Sequence, residues 1–295
     1  MVRREQGEQL VLPVTGGESR TQLAVLGSPI AHSKSPAIQR AAYRVLGLDW
    51  SYEAVDVAGS GLAQYVRSRG AGWRGLSLTM PLKRDILPLL SSRDELVDTV
   101  GGANTVLFTA DGPRGFNTDV QGVVESFRAV GVPSLDDVHL LGAGATAASV
   151  LVAVASMGAR TVLVSARTPQ KAAFLVELGE RVGVAVVVRA WGVVDRSMTA
   201  PDAIVSTVPG GANDMVFAES IRTHSVLFDV AYDPWPSSLA SDWEQAGGTV
   251  ISGLDLLINQ AVGQVRVFVS GDQHEPLPDE AAVLAAMRAA VTAAT

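Results

Sequence analysis

The sequence predicts an α/β protein of two units, and three observations lead there. Short apolar runs alternate with stretches of helical periodicity from residue 21 to about residue 108. A glycine-rich segment, Gly142-x-Gly144-x-x-Ala147, stands between an apolar run and a second long apolar stretch near the middle of the chain. Strand-and-helix alternation then resumes and ends in two helical segments with no strand after them. Such alternation implies layered α/β structure with a mostly parallel sheet.

In chain order, strands are expected at residues 23–26, 52–57, 76–79 and 105–108, separated by helical spacing at 37–46, 62–67 and 81–90. Gly47 follows the first helix as a stop. The second unit opens with a buried-type strand at 138–141 and a helix running to Met157, with Gly158 as its stop. Further strands are expected at 161–165, 185–188, 203–206, 225–229 and 249–251. Helices are expected at 254–269 and from about 279 to 294. Residues 1–20 read as a polar tail.

Composition narrows the function. The chain has 295 residues, 47% of them hydrophobic, and a mean hydropathy slightly above zero, as expected of a globular protein with two real cores. No apolar run reaches membrane-spanning length. The start, Met1 to Gly7, lacks a signal-peptide core, so a cytoplasmic location is expected. There is no cysteine, which excludes disulfides and thiolate chemistry, and the four histidines are too scattered for a metal site, so none is expected. A net charge of −7 argues against nucleic acid as a partner. An anionic ligand must therefore be held by local groups.

Gly142-x-Gly144-x-x-Ala147 has the strand-to-helix context a dinucleotide site requires. Gly142 allows the tight turn, Gly144 lets the backbone approach a pyrophosphate, and Ala147 permits close helix–strand packing. The intervening Ala143, Ala145 and Thr146 belong to the same loop, and an ordinary tight turn is the competing account. The next strand ends in Ser165-Ala166-Arg167-Thr168, with Lys171 one turn later. No carboxylate is present for the ribose hydroxyls of NAD, while a guanidinium and a hydroxyl suit the 2′-phosphate of NADP. Thr207, Val208 and Pro209, at the end of a later strand, are expected to line the cofactor, and Val230 and Gly253 are grouped with them.

Five further motifs surround the presumed cleft. Ser33-Lys34-Ser35-Pro36 is a strand-to-helix loop whose two hydroxyls and free N–H groups can hold a carboxylate, with Pro36 at the first helical position. Thr79-Met80-Pro81-Leu82-Lys83 places a lysine near a helix start, where the dipole disfavours it. Asn104-Thr105, Asn117-Thr118-Asp119 and the late Gln260 add amides and a carboxylate. Each has an ordinary account as a turn, a cap or a surface position, and it is their joint order that points to a site.

That order resembles the shikimate dehydrogenase family. The resemblance rests on the Ser-x-Ser-Pro loop, the Thr-x-Pro-x-Lys motif, the Asn-Thr pair, the Asn-Thr-Asp motif and the late Gln, and it spans residue 21 to the C-terminus. It implies a discontinuous α/β substrate-binding domain (residues 21–120, completed by the helices of 253–295) around a Rossmann-like NADP-binding domain (residues 121–252). It further implies NADPH-dependent, reversible reduction of 3-dehydroshikimate to shikimate. Ser33 and Ser35 would bind the substrate carboxylate, and Thr79, Asn104, Asp119 and Gln260 would bind or border the ring hydroxyls. Lys83 and Asp119 would form the catalytic pair, and Tyr232 would lie close to the substrate. Departures occur at Ser77, where Asn is usual, at Ala145 in place of a further glycine, at Ala166 for Asn, and at Gln39-Arg40 for His-Asn; they bear on affinity more than on activity. The alternatives are an NAD-linked quinate/shikimate dehydrogenase and a catalytically silent NADP-binding regulator on the same fold. The expected partner is a small molecule, with no membrane or nucleic acid, and the protein is expected to be a monomer or homodimer.

Overall fold

The computed structural model describes residues 20–192, 200–209 and 214–292; most of the expected tail and the last residues of the expected final helix lie outside them. The first sheet contains β1 (Thr21–Gly27), β2 (Trp50–Asp56), β3 (Trp73–Leu78), β4 (Ser92–Arg93), β5 (Thr105–Thr109) and β6 (Gly112–Phe116). Its helices are α1 (Ser35–Val45), α2 (Gly59–Arg67), α3 (Leu82–Asp85), α4 (Glu95–Val100) and α5 (Asp119–Ala129). Strand order is β2-β1-β3-β5-β6-β4. β1 pairs parallel with β2 and β3, and β4 parallel with β6; β5 alone runs antiparallel to both its neighbours, β3 and β6, so the sheet is mostly parallel as expected, with one reversed strand. The antiparallel part is a hairpin whose second strand, Gly112-Pro113-Arg114-Gly115-Phe116, carries two glycines and a proline. Residues of such low strand propensity hide it from pattern reading.

Period-two alternation in β1 explains how this sheet is covered on both faces. Leu23 and Val25 join one core with α1 and the C-terminal helices, while Ala24 and Leu26 join another with α2 and α3. Three expectations are corrected. The helix expected over 81–90 is the short α3 followed by a 3-10 turn, Leu87–Leu89, because Pro88 has no N–H to continue the ladder. α4 has no counterpart among the expected helices; it is six residues long and capped by Asp94, whose carboxylate accepts from the Val97 N–H at 2.7 Å. α1 begins two residues earlier than expected, so that Pro36 is its second residue.

The second sheet contains β7 (Asp137–Leu141), β8 (Thr161–Ala166), β9 (Ala185–Ala190), β10 (Ala203–Ser206), β11 (Val226–Asp229) and β12 (Val250–Ser252). Between them lie α6 (Ala145–Ser156), α7 (Ala173–Val182), α8 (Glu219–His224) and α9 (Ser238–Gln245). The order is β12-β11-β10-β7-β8-β9 with every pair parallel. That is the doubly wound dinucleotide-binding arrangement, with its switch point between β7 and β10. α6 is apolar all round, as a helix covered on several sides must be.

Two helices close the described chain, α10 (Gly253–Ser270) and α11 (Glu280–Thr292). α10 leaves the second sheet and packs on α5, α1, β3 and β5, and α11 packs on α1. The start of α10 is held by a capping box between Ser252 and Asp255. Gly122 on α5 lets α10 approach: a Cβ there would lie 2.9 Å from the Gln260 Cβ. That close crossing sets Gln260 against the Asn117-Thr118-Asp119 segment.

Candidate active site

Two adjoining cavities lie where the sheets meet. The first, about 490 Å³, is lined from the second sheet by Gly142, Ala143, Gly144, Ala145, Thr146, Arg167, Thr168, Lys171, Thr207, Val208 and Pro209. Gly142 has φ +104°, a left-handed conformation, and a Cβ there would strike the Thr207 hydroxyl at 2.6 Å. Gly144 faces open space, and no side chain caps the start of α6, which leaves its N–H groups for an anion. Lys83, Arg84, Arg167 and Lys171 line this cavity and, among the described residues, no carboxylate does, a donor set that fits a phosphorylated dinucleotide.

Not every residue grouped with the cofactor reaches that wall. Ser165 is turned into the protein, with its Oγ 2.8 Å from His139 Nε2. Ala147 is fully buried in the second core, where it serves the close packing expected of it. Val230 and Gly253 line the second cavity and not the first. The burial of Ser165 follows from strand alternation, which turns it away from the face on which the next residue, Ala166, lines the cavity.

The second cavity, about 500 Å³, gathers Ser33, Ser35, Thr79, Lys83, Asn104, Asp119, Tyr232 and Gln260 from separate stretches of chain. Ser33 and Ser35 sit at the start of α1, where Lys34 supplies no side-chain cap. Lys83 Nζ donates to Asp119 Oδ2 at 2.6 Å, with their side chains 14% and 6% exposed. Asn104 Nδ2 lies 2.9 Å from Asp119 Oδ1, 2.9 Å from Thr118 Oγ1 and 3.2 Å from Gln260 Oε1. On its other side, Asn104 Oδ1 accepts from the Thr118 N–H and the Thr105 hydroxyl, each at 2.9 Å. Asn117 Oδ1 accepts from the Asp119 N–H at 3.1 Å, and its Nδ2 donates to the Gly102 carbonyl at 2.8 Å. The Asn-Thr pair and the Asn-Thr-Asp motif are therefore one buried network that clamps the carboxylate. Burial, with Asp233 adding to it, raises the Tyr232 phenol above its ordinary value and keeps it a neutral donor.

Several wall residues have no place among the expected ones. Gln264 follows Gln260 by one helical turn, and that i, i+4 spacing is the signal that could have found it. Arg84 lines the first cavity beside Lys83 and stacks its guanidinium 4.3 Å over the Phe174 ring of α7, joining the two halves across the cleft. Trp191, just after β9, also lines the first cavity; nothing in its sequence context marks it.

A doubly wound sheet whose glycine-rich loop and cationic side chains line a cavity, beside a lysine–carboxylate pair in an adjoining one, has the make-up of a pyridine-nucleotide-dependent oxidoreductase of small molecules. Comparison with known proteins narrows this. Residues 25–106 match the shikimate dehydrogenase substrate binding domain. The shikimate dehydrogenase (NADP(+)) of Methanothrix thermoacetophila is 34% identical over 271 residues, covering 90% of this chain and 97% of that protein. The crystal structure of Mycobacterium tuberculosis shikimate dehydrogenase superposes with a TM-score of 0.79 at 39% identity, covering 91% of this chain and 99% of the other. That of the Thermus thermophilus shikimate 5-dehydrogenase in complex with NADP(H) and shikimate gives 0.77 at 30% identity, with the same coverage. The chain belongs to the shikimate dehydrogenase family.

Proposed function

We propose that this protein catalyses the NADPH-dependent, reversible reduction of 3-dehydroshikimate to shikimate, with Lys83 and Asp119 as its catalytic pair. The observation that carries the reading is the position of Lys83. Its side chain lines both cavities, between the phosphate loop and the hydroxyl-rich pocket, and it is held there by Asp119 at 2.6 Å. A dinucleotide held in the first cavity would supply the hydride for the ring ketone. Lys83 Nζ, as an ammonium, stabilises the oxygen on which charge develops and gives it a proton; in oxidation the amine takes that proton back. Asp119 orients the ammonium through Oδ2, and Asn104 holds the carboxylate through Oδ1, so the network is ordered before substrate arrives.

Ser33 and Ser35, with the uncapped start of α1, hold the substrate carboxylate in this reading. Thr79, Asn104 and Gln260 meet or border the ring hydroxyls, and Tyr232 closes that side of the pocket. Gly142, Gly144 and Thr146 take the pyrophosphate, and Arg167, Thr168 and Lys171 the 2′-phosphate. The division into residues 21–120, 121–252 and 253–295 is part of the same proposal; the return of α10 and α11 to the first sheet supports it. A cytoplasmic location and a monomeric or dimeric state complete it. Among the described residues no helix is long and apolar enough to cross a membrane.

The test is consumption of NADPH at 340 nm in the presence of 3-dehydroshikimate, with the product identified by mass and retention time. Stoichiometric shikimate is the expected outcome. NADPH binding without turnover would favour a silent regulator instead.

A further inference from the structure

Two polar side chains on the wall of the substrate cavity, Ser77 and Gln264, have no part in the chemistry above. Their hydrogen bonds fix which way each one points. Gln264 lies 3.3 Å from the Asn104 carbonyl oxygen at one end of its amide, and at the other it meets Ser77 Oγ at 2.9 Å and Gln39 Nε2 at 3.0 Å. A carbonyl only accepts, so the amide nitrogen faces Asn104 and the amide oxygen faces Ser77 and Gln39. That oxygen needs donors, and the single proton of Ser77 is committed to it. Ser77 must then accept from the Tyr52 hydroxyl, 2.6 Å away. Tyr52 is fully buried, and burial raises its phenol well above the ordinary value, so its proton is always present to give.

The chain of bonds therefore has one direction: Tyr52 to Ser77, Ser77 to Gln264, with Gln39 also donating to Gln264. Among the described residues, what remains unused is one lone pair on Ser77 and one N–H on Gln264, both on side chains that line the cavity. A substrate group that both donates and accepts matches that pair, and a hydroxyl is such a group. Hydrogen or methyl in its place leaves two desolvated polar groups unpaired, and an ether or an ammonium leaves one.

We propose that Ser77 and Gln264 form a hydroxyl-recognition slot, taking a ring hydroxyl other than the one oxidised at Lys83, with Tyr52 and Gln39 as positioning residues that set its polarity. The inference rests on the shikimate reading of the site and names a determinant of specificity within it.

The test compares kcat/KM for shikimate with kcat/KM for its analogues lacking either the C4 or the C5 hydroxyl, in the unaltered enzyme and in Gln264→Met and Tyr52→Phe. The unaltered enzyme is expected to prefer shikimate over one of the two analogues by roughly a hundredfold or more, since a site built to bond a hydroxyl strongly rejects its absence. Gln264→Met should bring that ratio to within about tenfold, by slowing shikimate and leaving the deoxy analogue nearly unchanged. Tyr52→Phe removes one oxygen remote from the substrate; it should shrink the same ratio several-fold with KM for NADPH unchanged. A general packing defect would lower all three substrates alike and leave the ratio intact. Should Gln264→Met fail to fold, Tyr52→Phe decides alone. Normal shikimate turnover with an unaltered ratio in the variants overturns the slot alone, whereas an unaltered enzyme that leaves shikimate untouched overturns the activity reading.

Discussion

Replacing Lys83 with Met removes the ammonium and keeps most of the side-chain volume, so the consequences for chemistry and for stability separate. A positioned general acid–base is worth about 10²–10⁴ in rate. At about 1.36 kcal/mol per decade that is about 3–5 kcal/mol of transition-state stabilisation. On the stability side, Asp119 Oδ2 loses its 2.6 Å partner while Oδ1 keeps Asn104 at 2.9 Å. Breaking a fully buried pair costs about 3–5 kcal/mol. Asp119 lines a cavity that water can enter, so the loss should be nearer the worth of one charge-assisted hydrogen bond, about 1.5–3 kcal/mol. The variant is expected to fold, to melt several degrees lower, to bind NADPH nearly as the parent does, and to lose at least a hundredfold in kcat. Circular dichroism, nicotinamide fluorescence and the 340 nm assay at saturating substrate measure these in turn. A Lys83→Met enzyme within tenfold of the parent kcat would refute the role given to the pair.

Three further outcomes are expected. Arg167→Ala should raise KM for NADPH and narrow the preference over NADH, measured as the ratio of kcat/KM values; an unchanged ratio would make Arg167 an ordinary strand-end residue. Asn104→Leu orphans the Thr118 N–H and the Thr105 hydroxyl and removes one donor from Asp119; at about 1–3 kcal/mol per buried unpaired group it should cost about 3–5 kcal/mol, read by urea unfolding. His139 is held neutral, its value pushed down to about 4 by burial first and by Arg189 second. Below its free value of about 6.5 the unfolded chain takes up a proton that the folded protein does not, so stability should fall as pH drops from about 6.5 to about 4, by on the order of 3 kcal/mol in all. Denaturation of His139→Asn should show a shallower fall over that window, and equal slopes for variant and parent would remove His139 as the cause. Burial raises the carboxyls of Asp94 and Asp229, which act in the opposite sense at the acid end of the range, so only the comparison with the variant isolates His139.

The elements with a clear period are legible in the sequence. β10 is expected at 203–206 and found there, and β7 and β8 each lie within a residue of their expected ends. Their runs of Val, Leu and Ile are buried on both faces of a parallel sheet, which needs no help from distant residues. β6 and α4 escape a reading of the sequence because tertiary pairing and one Asp94 cap, not local propensity, hold them. The reversal of β5 in the first sheet is equally invisible, since alternation in sequence does not state strand direction.

For the site, residues are legible where a motif requires several polar side chains close together in sequence. Asn117, Thr118 and Asp119 are one such run, and they share a network with Asn104. Gln264, Ser77 and Tyr52 cannot be read as a unit because they come from a helix and two strands that meet only in the fold. In the sequence Ser77 stands out only as a departure from a usual Asn; in the structure its small hydroxyl is bridged between Tyr52 and Gln264. Ser165 shows the reverse error: its position at a strand end suggests the cleft, and alternation turns it toward His139.

The central claim is an NADP-linked reaction on shikimate at the Lys83–Asp119 pair. The most direct measurement is kcat/KM for shikimate and for quinate, each with NADP and with NAD, followed at 340 nm with one preparation. Shikimate with NADP is predicted to exceed the other three combinations. A higher value for quinate with NAD would contradict the account.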